Sequence, residues 1–282
     1  MTELCPTGPT ASRSTDVIGA SSGSVPLRVL ILGGTSEAYE IARRLADING
    51  LRVTSSLAGR VGQPRMPGGL VRIGGFGGVD GMIAFLHDEK IGAVIDATHP
   101  FASQISANAE AACRQAGVPL IAFARAPWTM HEADRWHPVP DMEHAAAYVA
   151  PRASRVFLAI GRQRLDAFAS CSKSWFLVRA IDPPSVPLPA NMMLLLARGP
   201  FQVDDELRLF RDHAIDCVVA KNSGGTATYA KIEAARLLRI PVVIIDRPKS
   251  HPVATVDDLD HVVAHLHRVQ FEAAATEEAG AP

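Results

Sequence analysis

The strongest constraint on the fold of this chain is an alternation of two patterns that repeats from residue 28 to residue 267. Short runs rich in Leu and β-branched residues alternate with amphipathic stretches of helical period. Such alternation is typical of parallel strands joined by helices that cover both faces of a sheet. In the first half it predicts strands at 28–32, 51–57, 70–73, 93–96 and 119–123 and helices at 37–48, 80–89 and 102–116.

The alternation breaks once, between residues 124 and 141, where the chain holds Trp128, Trp136 and three prolines. A stretch of this length is uncommon as a loop inside a compact unit, so we interpret it as a connector. Beyond it, the pattern predicts strands at 155–160, 175–180, 192–197, 217–220 and 241–245 and helices at 164–170, 204–213, 228–238 and 256–267. The expected fold is α/β, with a first domain at 28–140 that includes the connector and a second at 141–268, facing each other across a cleft.

Composition and charge favour a cytoplasmic protein that binds neither nucleic acid nor membrane. The 28 basic and 29 acidic residues give a net charge of −1, without a basic or acidic bias. No apolar run has the length of a transmembrane helix, and the N-terminus lacks the apolar core of a signal peptide. Four scattered cysteines without metal-ligand spacing predict a reducing compartment and no metal site: Cys5, Cys113, Cys171 and Cys217.

The two ends of the chain lack the apolar periodicity of the rest. Residues 1–27 are dominated by Ser, Thr, Gly and Pro, and residues 269–282 are rich in Ala and Glu. Segments that bury little apolar surface do not offset the entropy cost of ordering. We therefore predict a flexible N-terminal extension and a flexible C-terminal tail. The oligomeric state stays open.

A glycine pair follows the first predicted strand and opens the first predicted helix. Gly33 and Gly34 would let the backbone approach a pyrophosphate, which the N–H groups and dipole of the helix favour. The match to GxGxxG is imperfect, because Ser36 and Glu37 stand where glycine is expected. A plain tight turn with Thr35 or Ser36 as the helix N-cap is the alternative interpretation.

The end of the second predicted strand favours NADPH over NADH. NAD-binding domains usually place an acidic residue there against the ribose 2′-hydroxyl. Residues 54–60 read Thr-Ser-Ser-Leu-Ala-Gly-Arg and contain no acid. Arg60 with the hydroxyl of Ser56 would suit a 2′-phosphate, although Arg60 is equally consistent with an ordinary solvated loop residue.

The segment 96–102, Asp-Ala-Thr-His-Pro-Phe-Ala, follows the fourth predicted strand, at the edge where open α/β sheets bind ligands. His99 could bind the cofactor or substrate or supply a proton, since the usual pKa of histidine lies near neutrality. The His-Pro pair could equally form a rigid turn. Asp96 could simply cap the segment that follows it.

A second candidate anion site lies at 221–231, Lys-Asn-Ser-Gly-Gly-Thr-Ala-Thr-Tyr-Ala-Lys. Its glycines and hydroxyl residues follow a buried strand, Lys221 and Lys231 add charge, and the Gly-Lys-Ser/Thr ending of an ATP-binding loop is missing. Further cations stand where strands should end, and together they suggest a ligand with several carboxylates, although each alone suits a solvated surface: Arg125, Arg162, Arg198, Arg247 and Lys249.

Four motifs together resemble the precorrin-6A reductase family of cobalamin biosynthesis, which includes cobalt-precorrin-6A reductases. They are GGTSE at 33–37, DATHPFA at 96–102, KNSGG at 221–225 and IPVVIIDRP at 240–248. The resemblance implies two Rossmann-like domains around a tetrapyrrole. It also implies hydride transfer from NADPH to C19 of precorrin-6A, with a proton added at C18, giving precorrin-6B. The motifs do not separate the cobalt-free from the cobalt-containing substrate.

The resemblance also assigns roles to individual residues. It places the cofactor at 33–37 and the nicotinamide near Thr98, His99 and Pro100. It implies substrate contacts from Lys221, Asn222, Ser223 and Gly224, to which the charge argument adds Arg198 and Lys231. We expect His99 or Lys221 to supply the proton, and the connector 124–141 is a candidate hinge for domain closure. The alternatives are an NADPH-dependent reductase or dehydratase of a smaller substrate, or a non-catalytic NADP(H)-sensing protein.

Overall fold

The computed structural model describes residues 25–59, 66–248 and 253–279. In these residues the strands are β1 (Leu27–Leu32), β2 (Leu51–Leu57), β3 (Leu70–Ile73), β4 (Ala93–Asp96), β5 (Leu120–Phe123), β6 (Trp136–Val139), β7 (Arg155–Ala159), β8 (Trp175–Ala180), β9 (Met192–Leu196), β10 (Cys217–Lys221), β11 (Val242–Ile245) and β12 (Thr255–Val256). The helices are α1 (Ser36–Ala46), α2 (Val79–Asp88), α3 (Ser103–Ala116), α4 (Met142–Val149), α5 (Val203–Asp212), α6 (Ala230–Leu237) and α7 (Leu259–Ala279). None of these helices is long and apolar enough to cross a bilayer.

The first sheet has the strand order β12-β5-β4-β1-β2-β3, and all its pairs are parallel. One face packs against α1 and α7 through side chains such as Ile41 and Leu266. The other face packs against α2 and α3 through side chains such as Met82 and Ala109. The chain leaves β1 for β2 on one side and later returns to β4 on the other, which opens a crevice beyond the carboxyl ends of β1 and β4.

The second sheet repeats this plan with the order β6-β11-β10-β7-β8-β9, again with parallel pairs. Helix α4 and a 3₁₀ turn at Leu165–Phe168 cover one face, where Val149 and Phe168 are buried. Helices α5 and α6 cover the other face, where Phe210 and Ile232 are buried. The predicted α/β class with two Rossmann-like parallel sheets is confirmed.

The predicted connector contributes elements of its own to the second sheet. Strand β6 forms an edge of that sheet, paired with β11, and α4 follows it with Asp141 as N-cap. The sequence hides this strand because Pro138 interrupts it, and a proline is tolerated in a sheet mainly at an edge. The second sheet therefore begins at Trp136 rather than after residue 140. The helix expected at 164–170 is only the 3₁₀ turn.

The C-terminal elements return to the first sheet, although the predicted division places residues 141–268 in the second domain. Strand β12 pairs with β5, and Val262, Leu266 and Val269 of α7 are buried in the core of the first domain. Helix α7 continues to Ala279, so part of the predicted tail 269–282 is helical. The predicted extension 1–27 lies outside the described residues apart from its last three positions, of which Leu27 begins β1.

Candidate active site

The turn after β1 leaves open space above its second glycine. Gly34 has a φ of 110°, and a Cβ built on it would meet no atom within 4 Å in the described part of the chain. The Thr35 hydroxyl accepts a hydrogen bond from Ala38 N at 3.1 Å and donates one to Ala97 O at 2.8 Å. Thr35 is thus the N-cap of α1, as the alternative interpretation held. The cap occupies one of the N–H groups of the first turn, and the exposed Gly34 and Ser36 lie beside the others.

Glu37 joins the turn after β1 to the connector. Both of its carboxylate oxygens accept from Arg125 Nη1 at 2.7 Å, and the two side chains are only 24% and 19% exposed. Arg125 Nε in turn donates to Ser223 O at 2.6 Å in the loop after β10. The side chain of Glu37 therefore ties the predicted cofactor turn to the predicted substrate loop, and its carboxylate is already paired.

A second arginine lies at the same junction, the place where the turn after β1, the connector and the loop after β10 meet. Arg247, at the end of β11, donates from Nε to Asn222 O at 2.9 Å, from Nη1 to Arg125 O at 2.7 Å and from Nη2 to Ser223 O at 3.1 Å. Gly224 has a φ of 67°, and a Cβ on it would lie 2.1 Å from Ala126 O. The loop after β10 is therefore pressed against the connector, and only glycine fits at position 224.

The amide of Asn222 is likewise occupied by the connector. Its Oδ1 accepts from Trp128 N at 2.8 Å, and its Nδ2 donates to Trp128 O at 3.2 Å. Trp128 Nε1 donates to Gly225 O at 2.7 Å. Asn222 and Gly225 thus hold Trp128 in place in this structure. Substrate contact by Asn222, Ser223 and Gly224 stays a prediction.

The loop after β4 is fixed by its own aspartate. Asp96 Oδ1 accepts from Thr98 N at 3.0 Å and from Thr98 Oγ1 at 2.7 Å, so this carboxylate caps the turn. Thr98 and Pro100 border a small pocket shared with Thr35, the cap of α1. On its other side the loop borders a cavity of about 150 Å³ whose polar lining includes Thr98, His99, Ser103, Ser106, Arg247 and Thr255. The structure therefore brings the predicted turns after β1 and β4 together.

His99 is neutral at physiological pH. Burial, followed by the charges of Arg125, Lys221, Arg247 and Lys231, lowers its pKa to about 3. Its Nδ1 accepts a hydrogen bond from Phe101 N at 3.2 Å, which places the proton of the neutral ring on Nε2. A charged imidazolium is therefore not available here as a proton source, and a role of His99 in binding stays a prediction.

Lys221 has a pKa suited to proton transfer near neutral pH. Burial, assisted by the charge of Arg164, lowers the pKa of Lys221 to about 8. Its Nζ lies 5.2 Å from the ring centroid of Phe101, a residue of the loop after β4 that also packs against the core of the second domain. Lys221 therefore stands where the two sheet edges meet, and it is the better acid of the two candidates.

Lys231 is buried beside Trp128, with its Nζ 4.7 Å from the ring centroid, whereas Arg198 is on the surface. Lys231 is only 3% exposed, its Nζ donates to Thr228 O at 2.5 Å, and burial lowers its pKa to about 7. The ammonium group of Lys231 is therefore enclosed in this structure, and its contact with substrate stays a prediction. Arg198 is exposed in the loop after β9, and its contact with substrate stays a prediction.

At the end of β2, the structure supplies a cation that sequence reasoning missed. The predicted Arg60 lies outside the described residues. Ser56 is 6% exposed, and its Oγ accepts from Arg72 Nη1 at 2.9 Å. Arg72 stands opposite Ser56 in the register of β2 and β3. The signal that could have identified it is the basic residue near the end of β3, once that strand is paired with β2.

Comparisons with known proteins agree on one family. The family model for precorrin-6x reductase CbiJ/CobK matches residues 28–267. A precorrin-6A reductase of Rhodococcus erythropolis is 51% identical, covering 84% of this chain and 96% of that protein. One of Rhodobacter capsulatus is 50% identical, covering 78% and 88% respectively.

A solved structure and a more distant relative complete the comparison. The structure, described as CobK precorrin-6A reductase, is 47% identical and has a TM-score of 0.81, covering 86% of this chain and 97% of that one. A cobalt-precorrin-6A reductase of Priestia megaterium is 27% identical, covering 84% and 97%. Motifs, fold and relatives converge, and this chain belongs to the precorrin-6x reductase family CbiJ/CobK.

Proposed function

We propose that this protein is an NADPH-dependent precorrin-6A reductase that adds hydride to C19 and a proton to C18 of its substrate, giving precorrin-6B. The observation that carries the proposal is the sequence identity of 51% and 50% to two relatives named precorrin-6A reductase, which are matched over 96% and 88% of their lengths. The fold supports it as well, because the carboxyl ends of β1 and β4 in one sheet and of β10 in the other meet at one junction. Open α/β sheets bind their ligands at these ends of the strands. We expect the enzyme to act in the cytoplasm.

The residues after β1 and β2 fit a phosphorylated dinucleotide. The open space above Gly34 and the first-turn N–H groups of α1 suit a pyrophosphate. The end of β2 presents the Ser56 hydroxyl with a guanidinium beside it and no carboxylate, which suits a 2′-phosphate better than a free 2′-hydroxyl. When bound, NADPH supplies the hydride.

The protein's own residues would then position the reactants and supply the proton. The Asp96–Thr98 turn and Pro100 fix the edge that would lie beside the nicotinamide. The Glu37–Arg125 pair and Arg247 hold the loop after β10 at a set distance from that edge, and most of the catalytic effect of hydride-transfer enzymes is such positioning. Lys221 is the proposed donor of the proton to C18, since its pKa lies near neutrality.

A second candidate substrate is cobalt-precorrin-6A. The identities favour the cobalt-free compound, because relatives named precorrin-6A reductase reach 51% and the cobalt-precorrin-6A reductase of Priestia megaterium reaches 27%. The preference would appear as a difference in kcat/KM between the two substrates measured under the same conditions.

The direct test is a single-turnover reaction of the purified protein with precorrin-6A, followed by absorbance. We expect loss of NADPH absorbance in step with formation of the reduced macrocycle, and slower reaction with NADH. Calorimetry with NADP⁺ alone gives a second measurement that needs no substrate. Tight NADP⁺ binding without turnover would favour a nucleotide-sensing protein, and turnover with a smaller substrate alone would favour a different reductase.

A further inference from the structure

Arg72 is held in a fixed orientation near the carboxyl end of β3, in the first sheet. Its Nη1 donates to Ser56 Oγ at 2.9 Å and to Gly74 O at 3.0 Å, and its Nη2 donates to Gly75 O at 3.0 Å. The guanidinium carbon lies 3.8 Å from the ring centroid of Phe76. Three hydrogen bonds and a stacked ring therefore fix the plane of this cation before any ligand binds.

These contacts leave one edge of the guanidinium available. An arginine has five N–H donors, of which the three bonds use both on Nη1 and one on Nη2. The remaining donors, on Nε and Nη2, form the side-on pair that binds two oxygens of a phosphate at once. Among the described residues no hydrogen bond from this pair is found.

The charge of Arg72 is also uncompensated within the described chain. All three acceptors are neutral oxygens, and no carboxylate lies within ion-pair distance among residues 25–59, 66–248 and 253–279. Burial lowers the pKa of Arg72, yet the group remains charged at any physiological pH. A partly desolvated cation without a counterion favours an anionic ligand.

The described residues leave space beside this cation. The loop that follows β3 is glycine-rich, and a Cβ on Gly74 or Gly75 would meet no atom of the described residues within 4 Å. Because Ser56 pairs with Leu32 of β1 on one side and with Arg72 of β3 on the other, the loop after β3 lies on the β2 side of the turn at Gly33 and Gly34. A dinucleotide with its pyrophosphate at that turn would extend its adenosine toward Arg72.

We propose that Arg72 is the residue by which this protein selects NADPH over NADH, its side-on edge binding the 2′-phosphate of the adenosine half. This inference rests on the proposed function, in that it requires a dinucleotide at the turn after β1. Ser56 and Phe76 act as positioning residues, because they fix the guanidinium. Arg60 is then an auxiliary or unrelated residue.

The test is calorimetric titration of wild type and Arg72→Gln with NADP⁺ and NAD⁺, and with adenosine 2′,5′-bisphosphate and AMP. We expect Arg72→Gln to weaken NADP⁺ and the bisphosphate about 10- to 100-fold. NAD⁺ and AMP should change by less than about threefold, which also shows that the variant is folded. Arg114→Gln, a surface arginine paired with Glu110 on α3, is the matched control and should bind all four as wild type does.

The outcomes separate this inference from the broader function. Equal losses of NADP⁺ and NAD⁺ affinity in Arg72→Gln, with the variant folded by circular dichroism, would overturn the role of Arg72. So would a selective loss that appears only in Arg60→Gln. Wild-type protein that binds neither dinucleotide would instead overturn the proposed function itself.

Discussion

Burial makes Lys221 a suitable acid and His99 an unsuitable one, although the two groups lie at the same junction. Desolvation lowers the pKa of both groups, but histidine begins at 6.5 and falls to about 3, whereas lysine begins at 10.5 and falls to about 8. The imidazole is left uncharged, and the ammonium becomes an acid that can release its proton near neutral pH. The same physical effect therefore removes one candidate proton donor and favours the other.

The first prediction concerns Lys221. Lys221→Met should lower kcat at least about 100-fold, with a smaller change in KM, because a proton donor acts mainly in the transition state. In the wild type, kcat should be constant at low pH and fall as pH rises through about 8, where the ammonium loses its proton. Lys173→Met, at an exposed position, is the control. A wild-type pH profile retained in Lys221→Met would contradict the assignment.

The second prediction concerns the stability cost of His99. Its folded-state pKa lies below the unfolded value of 6.5, so the unfolded chain binds the proton more readily as pH falls. The free energy of unfolding should be highest above pH 6.5 and decline below it by up to about 1.4 kcal/mol per pH unit. Urea denaturation of His99→Gln should show a shallower decline between pH 6.5 and 4.5. The exposed His87→Gln should keep the wild-type slope, and identical slopes for all three proteins would reject the prediction.

At the scale of elements, the N-terminus of α1 is coupled to the connector by Glu37 and Arg125. We predict a coupling free energy of about 1–2 kcal/mol in a double-mutant cycle of Glu37→Gln and Arg125→Gln, since the pair is mostly buried and both carboxylate oxygens accept from Arg125 Nη1. Glu37→Gln should also raise KM for the macrocycle more than it weakens NADP⁺, because Arg125 holds the loop after β10. Additive losses of stability, or a loss confined to NADP⁺, would contradict this coupling.

Much of the fold follows from sequence periodicity, because interior strands are apolar runs. Residues 51–57, 93–96 and 175–180 were predicted with the bounds that the structure shows. Strand β6 was missed because it is a short edge strand that contains proline. Strand β12 was missed because its two residues are too few to show an alternation of apolar and polar side chains. These two strands pair with β11 and β5, which are distant in sequence, and no local pattern reveals that pairing.

The candidate site likewise has parts that the sequence predicted and parts that it did not. The turns after β1, β4 and β10 were predicted from motifs, since glycine and hydroxyl residues at strand ends have a local meaning. Their partners were not: Arg125 reaches Ser223 across 98 residues, and Trp128 reaches Asn222 across 94. Arg72 beside Ser56 likewise depends on which strands pair. Contacts of this kind are fixed by the arrangement of whole elements.

At the scale of the whole molecule, the chain crosses between the two sheets twice. It passes once from β5 to β6 and once from β11 to β12. The first crossing is held by the loop after β10, where Asn222 binds Trp128, and by Arg247 after β11, which binds Arg125. A hinge in the connector therefore has to move together with this loop. Closure over a substrate would carry Lys221 along, because Lys221 begins the same loop.

The last prediction tests this unit with Gly224→Ala. The new Cβ would meet Ala126 O at 2.1 Å, so the loop and the connector must separate. Gly117→Ala is the matched control, because Gly117 has a similar φ of 68° and its Cβ would meet nothing within 4 Å. The control should lose about 1–2 kcal/mol of stability from the left-handed backbone alone, and Gly224→Ala should lose more.

The atoms nearest to the new Cβ belong to Ala126 and Arg247, and not to Gly33 or Gly34. NADP⁺ affinity should therefore stay within about threefold while kcat/KM for the macrocycle falls at least about tenfold. Small-angle scattering should then show a larger radius of gyration for Gly224→Ala than for Gly117→Ala. Equal effects of the two variants would mean that the loop and the connector do not act as one unit.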